Sequence, residues 1–516
     1  MPQTSHDREI FAITGLPPEV LAVALAKYSR SLESVKTTIN ELTEEKSAEF
    51  HEKWVLGYGD ASVADMAVVA MALENVSILA SKVVEDNRLA SYQEKSTRYV
   101  PFDPTRYYKP AVFMESPMRQ TYLDAIELQM RSYEEVVEKM TAFYGAKYPR
   151  PAETTEKMYA NKLRARALDI GRYLLPTATL TNFGMIMSAR ALRNAIAKMI
   201  AHPCAEVQAI GIEIQRAATG ASYNPQSQKL EPIFERLMNH SDPEVRALTE
   251  ELVKGVKLQV KGAPTLIKFT EPKEYLAKKK ITAAHFVERY FGEAGDGKFE
   301  DEPRVDFYGE HLTPEDELVT TLLYPESGLS FRKIAERVRA MTAEQKREII
   351  DAVQKERGPH DNCSREFEVG NYFIFDTLMD YGAFRDLQRH RLTTQINQEL
   401  NTRHGYEIPR DLAEAGLLPL YEEVMEKNRV AFRTLAEVNL PEARYVLAMA
   451  WRKRTIFKMN LRELHHFVEL RSKSGGHFSY RALVYEMYEQ VKARHPLLME
   501  HLRAVKMNFD EDFYQR

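Results

Sequence analysis

The chain has 516 residues, of which 44% are hydrophobic and 28% charged, with a formal net charge of −4. This length exceeds one ordinary hydrophobic core, so it predicts at least two domains. The composition is typical of folded globular proteins and excludes a mainly disordered or membrane-embedded chain. The slightly acidic balance argues against a broad nucleic-acid-binding surface but allows a local basic pocket for a small anion.

Cysteine usage and the apolar segments bear on location. Cys204 and Cys363 are the only cysteines, so the chain has no disulfide framework and no CxxC metal pattern. The N-terminus lacks the basic and apolar regions of a secretory signal, and no segment approaches the roughly 18 apolar residues of a membrane span. We therefore expect a cytoplasmic protein in a reducing compartment, with no metal and no membrane or nucleic-acid partner.

The order of predicted elements near the N-terminus recurs later in the chain. Each series has a short strand, a helix that opens at a proline, and a Lys/Glu-rich helix. The matching elements are strands at 8–13 and 304–308, helices opening at Pro17 and Thr313, and charged helices at 41–54 and 341–356.

Two later motif pairs are separated by the same number of residues. Gly171-Arg172-Tyr173 pairs with Ala443-Arg444-Tyr445, and Ser188-Ala189-Arg190 pairs with Asn460-Leu461-Arg462. Any two α+β domains share some similar patterns of helices and strands. The equal sequence separation of the two motif pairs favours a diverged tandem duplication. We predict an α+β protein with two repeats, each an antiparallel sheet packed with helices, joined by a polar, partly helical connector. The predicted bounds are 1–220, 221–300 and 301–516.

A basic triplet, Arg389-His390-Arg391, follows an apolar segment in the second repeat. Two guanidinium groups beside an imidazole can donate to a phosphate, a carboxylate or a flavin-like ring. Alone, the triplet fits a solvated helix end better, because basic triplets are common. The corresponding position of the first repeat reads Asp86-Asn87-Arg88.

The loop after this position carries a family resemblance. Ser91-Tyr92-Gln93-Glu94-Lys95-Ser96-Thr97-Arg98-Tyr99 resembles the S-x-N-E-x-S-x-R-Y loop of the flavin-dependent thymidylate synthases, the ThyX family, in which the loop directly follows an R-H-R triplet. The second repeat keeps the triplet but loses the loop's register, which Arg403 recovers only with a two-residue insertion. Each repeat therefore lacks a part that the other retains.

A late helix extends the resemblance. Asn460, Arg462, His466 and Arg471 resemble the family's N-x-R…H/N…R pattern. The first repeat has Ser188, Arg190, Asn194 and Met199 at the corresponding positions, so its last arginine is missing.

The resemblance implies an α+β fold and the reductive methylation of dUMP to dTMP. It implies FAD as cofactor, methylenetetrahydrofolate as co-substrate and NADPH as reductant, with nucleotide and folate as small-molecule partners. No cysteine nucleophile is required, which agrees with the absence of a recognisable one. Because active sites of this family lie between subunits of a homotetramer, we expect a homodimer of the duplicated chain that forms a pseudo-tetramer.

The family's site residues carry over onto matching positions, and together they predict one composite site. The predicted substrate-binding residues are Glu94, Ser96, Arg98, Arg172 and Arg444. The predicted flavin-binding residues are Arg389, His390, Arg391, Asn460, Arg462 and His466. The predicted catalytic residues are Arg389 and Arg471, the latter stabilising charge on the uracil ring.

Each assignment has a structural alternative. Arg172 and Arg444 also fit simple pairs with helix carboxylates, and His466 fits a structural histidine. Ser96 and Arg98 also fit ordinary turn and surface positions. At the level of function, two alternatives stay open: a silent nucleotide-binding scaffold, and a flavoenzyme acting on another substrate. The altered loop after the triplet and Gly476-His477, where the family has Ala-Gln, favour the latter.

Overall fold

A computed structural model describes most of the chain. The described residues are 13, 15–27, 34–57, 62–256, 260–267, 270–271, 274–292, 303–356, 364–369, 373–499 and 502–514. The predicted strand at 8–13 therefore lies outside the described residues except for Ile13. We refer to residues 1–220 as the first half and to residues 301–516 as the second half.

Two antiparallel sheets form the framework. The first contains β1 (Val68–Ser77), β2 (Ala90–Glu94) and β3 (Leu180–Ser188), and the second contains β4 (Val305–Tyr308), β5 (Phe373–Asp380), β6 (Thr394–Asn397) and β7 (Arg452–Met459). The strand orders are β1-β3-β2 and β4-β5-β7-β6. The expected mixed fold with antiparallel sheets is confirmed, and both halves place their last strand between the two preceding ones.

Helices cover these sheets. Those of the first half are α1 (Pro18–Ala26), α2 (Val35–Glu41), α3 (Glu44–Phe50), α4 (Ile78–Val84), α5 (Ala111–Met114), α6 (Arg119–Lys147), α7 (Glu156–Gly171), α8 (Ala189–Ile200) and α9 (Ala205–Thr219). The stretch predicted as a connector contains α10 (Pro225–Met238), α11 (Pro243–Gly255) and α12 (Glu274–Phe291).

The second half has a similar series of helices. They are α13 (Pro314–Ser327), α14 (Phe331–Arg339), α15 (Ala343–Gln354), α16 (Tyr381–Leu387), α17 (Asp411–Glu414), α18 (Leu418–Ala436), α19 (Leu440–Ala443), α20 (Leu461–Arg471), α21 (Phe478–Arg494), α22 (Pro496–Met499) and α23 (Phe509–Asp512). Within the described ranges, no helix is both long and apolar enough to cross a bilayer.

One hydrophobic core is shared by both halves, because buried residues of both sheets belong to the same cluster. A second cluster lies between the other face of the second sheet and α12–α15. Every residue of β5 is consequently buried, whereas burial in β1 is interrupted by exposed positions. The two sheets therefore differ in how they are covered, although their strand orders correspond.

The halves meet through two short 3₁₀ turns, Arg172–Leu174 and Arg444–Val446, and the residues after them. Backbone hydrogen bonds of 2.9 to 3.0 Å cross between the turns in reciprocal pairs. They run from Thr177 N to Leu447 O, Met449 N to Leu175 O, Ala178 N to Tyr445 O, and Ala450 N to Tyr173 O. Each bond has a partner with the two halves exchanged, which is the pattern of an isologous, two-fold interface.

Buried side chains near these turns exchange roles between the halves. On one side the Glu206 carboxylate accepts from the hydroxyls of Ser77 at 2.6 Å and Tyr445 at 2.7 Å. On the other side the carboxylate comes from Asp380, which accepts from Ser479 and lies 3.5 Å from the Tyr173 hydroxyl. Carboxylate and serine have swapped positions while the buried hydrogen bonds are kept, as buried polar groups require.

Candidate functional site

The triplet follows α16, and the local sequence explains its position. Asp380 caps α16 by accepting a hydrogen bond of 2.7 Å from Ala383 N, which fixes where the helix begins. The helix is buried along most of its length and ends at Leu387, so the triplet emerges at the boundary between the halves. Arg389 and Arg391 are exposed and His390 is buried.

Both arginines of the triplet contact the loop of the first half. Arg389 Nη2 lies 3.4 Å from Glu94 Oε2. Arg391 donates to the carbonyl oxygen of Ala90 and, at 3.2 Å, to Ser91 Oγ. The structure therefore brings together the retained triplet of one half and the retained loop of the other.

Glu94 is the buried anion of this contact, with a side chain 1% exposed. It accepts from Arg385 Nη2 at 2.7 Å and from Lys82 Nζ at 2.8 Å. Burial alone raises the pKa of Glu94, but the charges of Arg385, Lys82 and Arg389 outweigh it and hold that pKa below its usual value. Glu94 therefore stays ionised and attracts Arg389 of the triplet rather than acting as an acid.

His390 links the triplet to helix α20. Arg471 Nε donates to His390 Nε2 at 2.8 Å, and the other ring nitrogen lies 3.0 Å from Glu463 Oε1. Because a guanidinium only donates, Nε2 must accept, so the ring proton is on Nδ1 and donates to Glu463. Burial lowers the pKa of His390, Glu463 opposes this, and the charge of Arg471 adds to the lowering. The imidazole is therefore neutral, and it holds the Arg471 guanidinium in place.

Arg98 lies at the same interface and is buried. Its Nε donates to Asp169 Oδ1 at 3.0 Å, its Nη1 to the Tyr480 hydroxyl at 3.3 Å, and its Nη2 to the Gly475 carbonyl at 3.4 Å. Burial lowers the pKa of Arg98, but Asp169 and Tyr480 raise it above its usual value, so the group is permanently charged. The alternative of an exposed surface arginine is wrong, because this side chain reaches into the second half.

Arg172 is buried against the helix that carries the triplet. Its Nη1 donates to Asp386 Oδ2 at 3.2 Å. Among the described residues its Nε and Nη2 have no hydrogen-bond partner, although the side chain is 2% exposed. A Cβ on Gly382 would lie 3.1 Å from Arg172 Nη2 and 3.0 Å from Asp380 Oδ1. Glycine at position 382 therefore permits the close approach of this guanidinium to α16.

Asp386 and Tyr480 mark the point where the arginines converge. Burial raises the pKa of Asp386, but Arg172, Arg98 and Arg471 together hold it below its usual value. The guanidinium carbons of Arg98 and Arg471 lie 5.8 and 5.9 Å from the centre of the Tyr480 ring. Arginines of both halves thus surround one carboxylate and one aromatic ring.

The other predicted site residues on α20 and in the loop have the following positions. The side chain of His466 is exposed, with its ring centroid 5.6 Å from that of His390, and Arg462 is exposed one helical turn earlier. Asn460 caps α20 by accepting from Glu463 N at 3.0 Å. Ser96 Oγ accepts from Arg98 N at 3.2 Å, which shapes the loop.

Arg444 does not join this cluster. Its Nε donates to Leu400 O at 3.3 Å, and its Nη1 lies 3.6 Å from Glu399 Oε2. It belongs to the region around Asp86-Asn87-Arg88, which we call the reciprocal region.

The reciprocal region is occupied by ion pairs. Arg365 Nη1 lies 2.8 Å from Asp86 Oδ1, and Arg88 pairs with Glu368. Met199, at the position that corresponds to Arg471, is 2% exposed and packs in the core. The region thus lacks both the charge pattern of the triplet and the late arginine.

Two cavities lie along the boundary. One of about 170 Å³ is lined by residues of both triplet positions, including Asp86, Arg88, Arg389 and Arg391. The other, of about 560 Å³, lies in the reciprocal region and includes residues of α8, α12 and α13. In the described part of the chain, no group of three or more His, Cys, Asp or Glu residues is arranged to hold a metal ion.

Several residues of the cluster were missed at the level of sequence. Asp386 lies in α16, shortly before the triplet, and Glu463 lies within the motif of α20. Their positions in the sequence could have marked both as candidate site residues. Asp169 and Tyr480 lie in segments that no motif singled out. Their roles depend on tertiary contacts alone.

Comparisons with known proteins agree with the resemblance. The sequence matches the family described as Thymidylate synthase complementing protein (Thy1) over residues 13–228 and 317–497. It is 30% identical to a UPF0159 protein of Chlamydia muridarum, over 97% of this chain and 93% of that protein. It is 26% identical to the UPF0159 protein Ta1429 of Thermoplasma acidophilum, over 93% of this chain and 94% of that one.

Proteins named for an activity match shorter parts. A flavin-dependent thymidylate synthase of Clostridium tetani is 26% identical over 34% of this chain and 68% of that protein. The crystal structure of flavin-dependent thymidylate synthase ThyX from Helicobacter pylori, complexed with FAD and dUMP, matches 42% of this chain and 93% of that chain, with 14% identity and a TM-score of 0.24. Because the family match covers most of the sequence in two segments, the chain belongs to the Thy1 family, that of the flavin-dependent thymidylate synthases.

Proposed function

We propose that the chain is an FAD-dependent thymidylate synthase with one composite site per chain, which methylates dUMP reductively to dTMP. The observation that carries this proposal is the convergence of Arg98 of the first half with Arg471 of the second half at Tyr480. Each half retains different motif residues, and these are the residues that meet. Complementary losses of this kind fit one site kept per duplicated chain.

The substrate side would consist of Arg98 and Arg172, with Ser96 shaping the loop. A nucleotide phosphate is best held by charge-assisted, bidentate hydrogen bonds, which guanidinium groups supply. Arg172 Nε and Nη2, which have no hydrogen-bond partner in the described part of the chain, support this role. Asp386 occupies part of the same positive field, so the phosphate would replace this carboxylate as a partner of the arginines.

The cofactor side fits FAD through its donors. Arg389, Arg391, Arg462 and His466 are all exposed around the triplet, and a dinucleotide pyrophosphate needs several such donors. Bound FAD in its reduced form would supply the hydride that completes the methyl group of dTMP, after the methylene carbon has bonded to the uracil ring and its bond to the folate has broken. Methylenetetrahydrofolate and NADPH complete the proposed reaction as co-substrate and reductant.

The role of Arg471 follows from its contacts. His390 fixes its Nε, and no hydrogen bond within the described ranges engages its Nη groups. A guanidinium held in advance stabilises negative charge that develops on a pyrimidine carbonyl, without reorganising during the reaction. Arg471 is therefore the proposed catalytic residue, with His390 and Glu463 as positioning residues.

We also propose a homodimer that forms a pseudo-tetramer. The cavity beside the triplet measures about 170 Å³, which is too small to enclose a dinucleotide cofactor. A second chain covering the exposed face of α20 would complete the enclosure. The reciprocal hydrogen bonds support a tandem duplication, with repeats at 1–220 and 301–516 and a connector at 221–300.

Two alternatives have a specific observation in their favour. Arg98 and Arg172 are already paired with Asp169 and Asp386, as in a catalytically silent, nucleotide-binding scaffold. The carboxylate of Asp386 in the proposed phosphate region also favours a flavoenzyme with a less anionic substrate. Binding of dUMP separates these cases, because only the proposed enzyme binds both FAD and dUMP.

Complementation of a thymidine-requiring bacterial strain tests the proposal. Wild-type protein should restore growth, and Arg389→Ala and Arg98→Ala should each abolish it. Lys139→Ala is the matched control, because this lysine lies on the exposed surface of α6 in a pair with Glu135. Growth restored equally by Arg98→Ala would contradict the composite site, and no growth with soluble, flavin-bound wild type would favour a different substrate.

A further inference from the structure

The turn that joins α20 to α21, residues 472–477, is held from both halves of the chain. Arg98 of the first half donates from Nη2 to the Gly475 carbonyl oxygen at 3.4 Å. From the second half, Arg481 Nε donates to the Ser472 carbonyl oxygen at 2.9 Å. The turn follows the last residue of α20, which is the proposed catalytic arginine, so its conformation bears on where that guanidinium lies.

Tyr480, in the first turn of α21, contacts arginines of both halves. Its hydroxyl accepts from Arg98 Nη1 at 3.3 Å, and its ring centre lies 5.9 Å from the guanidinium carbon of Arg471. The residue is 4% exposed, so water competes little for these contacts. A single side chain therefore contacts both the proposed phosphate-side arginine and the proposed uracil-side arginine.

Gly476 allows the Tyr480 hydroxyl to reach over the turn. A Cβ at position 476 would lie 2.9 Å from Tyr480 Oη and 2.9 Å from Arg481 Cγ and Cδ. A larger residue would overlap with these atoms and displace both side chains. Position 476 is one of the two at which the chain has Gly-His where the family has Ala-Gln, and this departure leaves the room that the tyrosine hydroxyl occupies.

Arg98 keeps donors for a ligand in spite of these contacts. A guanidinium carries one N–H on Nε and two on each Nη. The described contacts direct one N–H of each nitrogen to Asp169, Tyr480 and Gly475. The second N–H of each Nη can therefore be donated to a phosphate while the side chain is held from three directions.

The C-terminal segment fixes the distance that Arg98 spans between α7 and α21. Arg166 of α7 donates from Nε to the Phe513 carbonyl oxygen at 3.1 Å. Arg481 of α21 donates from Nη1 to Asp512 Oδ2 at 2.7 Å. The segment thus ties together the two helices whose side chains hold the Arg98 guanidinium.

We propose that Tyr480 is a positioning residue of the composite site, whose hydroxyl orients Arg98 toward a nucleotide phosphate and whose ring restricts Arg471 beside the pyrimidine. This inference rests on the proposed function, which assigns the phosphate to Arg98 and the pyrimidine charge to Arg471. Tyr480 acts through these arginines. Removal of its hydroxyl and removal of its ring should therefore have separable effects.

Calorimetric titration of the full-length protein with dUMP, deoxyuridine and inorganic phosphate tests the role of the hydroxyl. Tyr480→Phe should weaken binding of dUMP and phosphate about tenfold, as expected for loss of one hydrogen bond to a charged group, and leave deoxyuridine unchanged. Gly476→Ala should act in the same direction, because its Cβ displaces the hydroxyl. Unchanged or tighter binding of dUMP in Tyr480→Phe would overturn the proposal, as would equal weakening of dUMP and deoxyuridine.

Tyr445→Phe is the matched control for a merely structural loss. The Tyr445 hydroxyl is also buried, and it donates to Glu206 Oε2 at 2.7 Å in the other half of the two-fold arrangement. This variant should be less stable than wild type but bind dUMP and phosphate equally well. A loss of dUMP affinity equal to that of Tyr480→Phe would contradict a specific role of Tyr480.

Steady-state formation of dTMP by the FAD-loaded protein tests the role of the ring. Tyr480→Phe should raise KM for dUMP with kcat nearly unchanged, because the ring beside Arg471 is kept. Tyr480→Leu should also lower kcat about threefold, as expected for loss of a cation–π contact. Equal kcat values in the two variants would overturn the role assigned to the ring.

Phosphate binding separates failure of this inference from failure of the proposed function. Wild-type protein that binds phosphate but not dUMP would contradict the proposed function alone. Titration of Tyr480→Phe with phosphate would then still decide whether the hydroxyl orients Arg98. Wild-type protein that binds neither ligand would contradict both.

Discussion

The triplet region and the reciprocal region occupy corresponding places in the two halves but are built differently. At the triplet, the exposed Arg389 lies beside the buried carboxylate of Glu94, and arginines of both halves act on Asp386. In the reciprocal region Asp86 pairs with Arg365, and Arg88 pairs with Glu368. One chain thus keeps a two-fold scaffold while it concentrates arginine side chains on one side of that scaffold.

The largest difference in stability between the two regions is expected at Arg471 and at its counterpart Met199. Met199→Arg would bury a guanidinium without a prepared partner, so we expect a loss of about 3 to 5 kcal/mol in the free energy of unfolding. Arg471→Met removes a half-buried arginine from a site with other cations, and should change stability by about 1 kcal/mol or less while abolishing complementation. Urea unfolding of both variants measures the difference. Tolerance of Met199→Arg would show that the reciprocal region keeps room for a second site.

The next largest difference in the free energy of unfolding is expected between variants of Glu94 and Glu399, one carboxylate from each half. Glu94→Gln leaves Lys82 and Arg385 buried beside a neutral amide, and should cost about 3 to 5 kcal/mol. Glu399→Gln should cost about 1 kcal/mol or less, because its side chain is 42% exposed and its pairs are shared with solvent. Chemical denaturation compares them directly. Equal costs would mean that both carboxylates support the interface to the same degree.

The pH dependence of Glu94 has a definite sign. Because its pKa in the folded protein lies below its usual value, its contribution to stability is complete above the pKa of about 4.3 of an unfolded glutamate. That contribution is lost as the pH falls through the folded-state pKa. The acid limb of the stability curve should therefore be shallower in Glu94→Gln than in wild type.

A smaller effect is expected for His390→Asn, which copies the residue at position 87. The folded-state pKa of His390 is lowered by burial and by Arg471, against the opposing effect of Glu463, with His466 adding a further lowering. Wild-type stability should therefore fall as the pH drops below the unfolded histidine pKa of about 6.5. The variant should lose this component, which unfolding measured from pH 7 to pH 5 detects. If the free energy of unfolding depended on pH equally in the variant and in wild type, His390 would have the same protonation in the folded and unfolded states.

The smallest effect on stability is expected for Asp86, which lies in the reciprocal region at the position corresponding to Arg389. Asp86→Ala removes a pair with Arg365 whose carboxylate is about one-third exposed, so we expect at most about 1 kcal/mol. Flavin content should equal that of wild type. Loss of flavin in this variant would place part of the cofactor site in the reciprocal region.

Part of the candidate site followed from the sequence and part did not. The retained triplet, the loop and the late helix are local motifs, and their contact across the halves fits the predicted composite site. Arg444 carries the same motif as Arg172 but lies in the reciprocal region, because the two-fold arrangement places equivalent residues on opposite sides. A motif alone does not reveal which of two equivalent arginines faces the triplet.

What the sequence alone determined is the family, the mixed fold with antiparallel sheets and the motif residues, because periodicity and short motifs are properties of local chain segments. Only the tertiary structure decided which charges neutralise one another. Asp169, Asp386, Glu463 and Tyr480 come from segments far apart in the chain, and burial makes their contacts with Arg98, Arg172 and His390 strong. The distinction between a cationic and a neutralised region therefore arises from packing, where distances between charges are set.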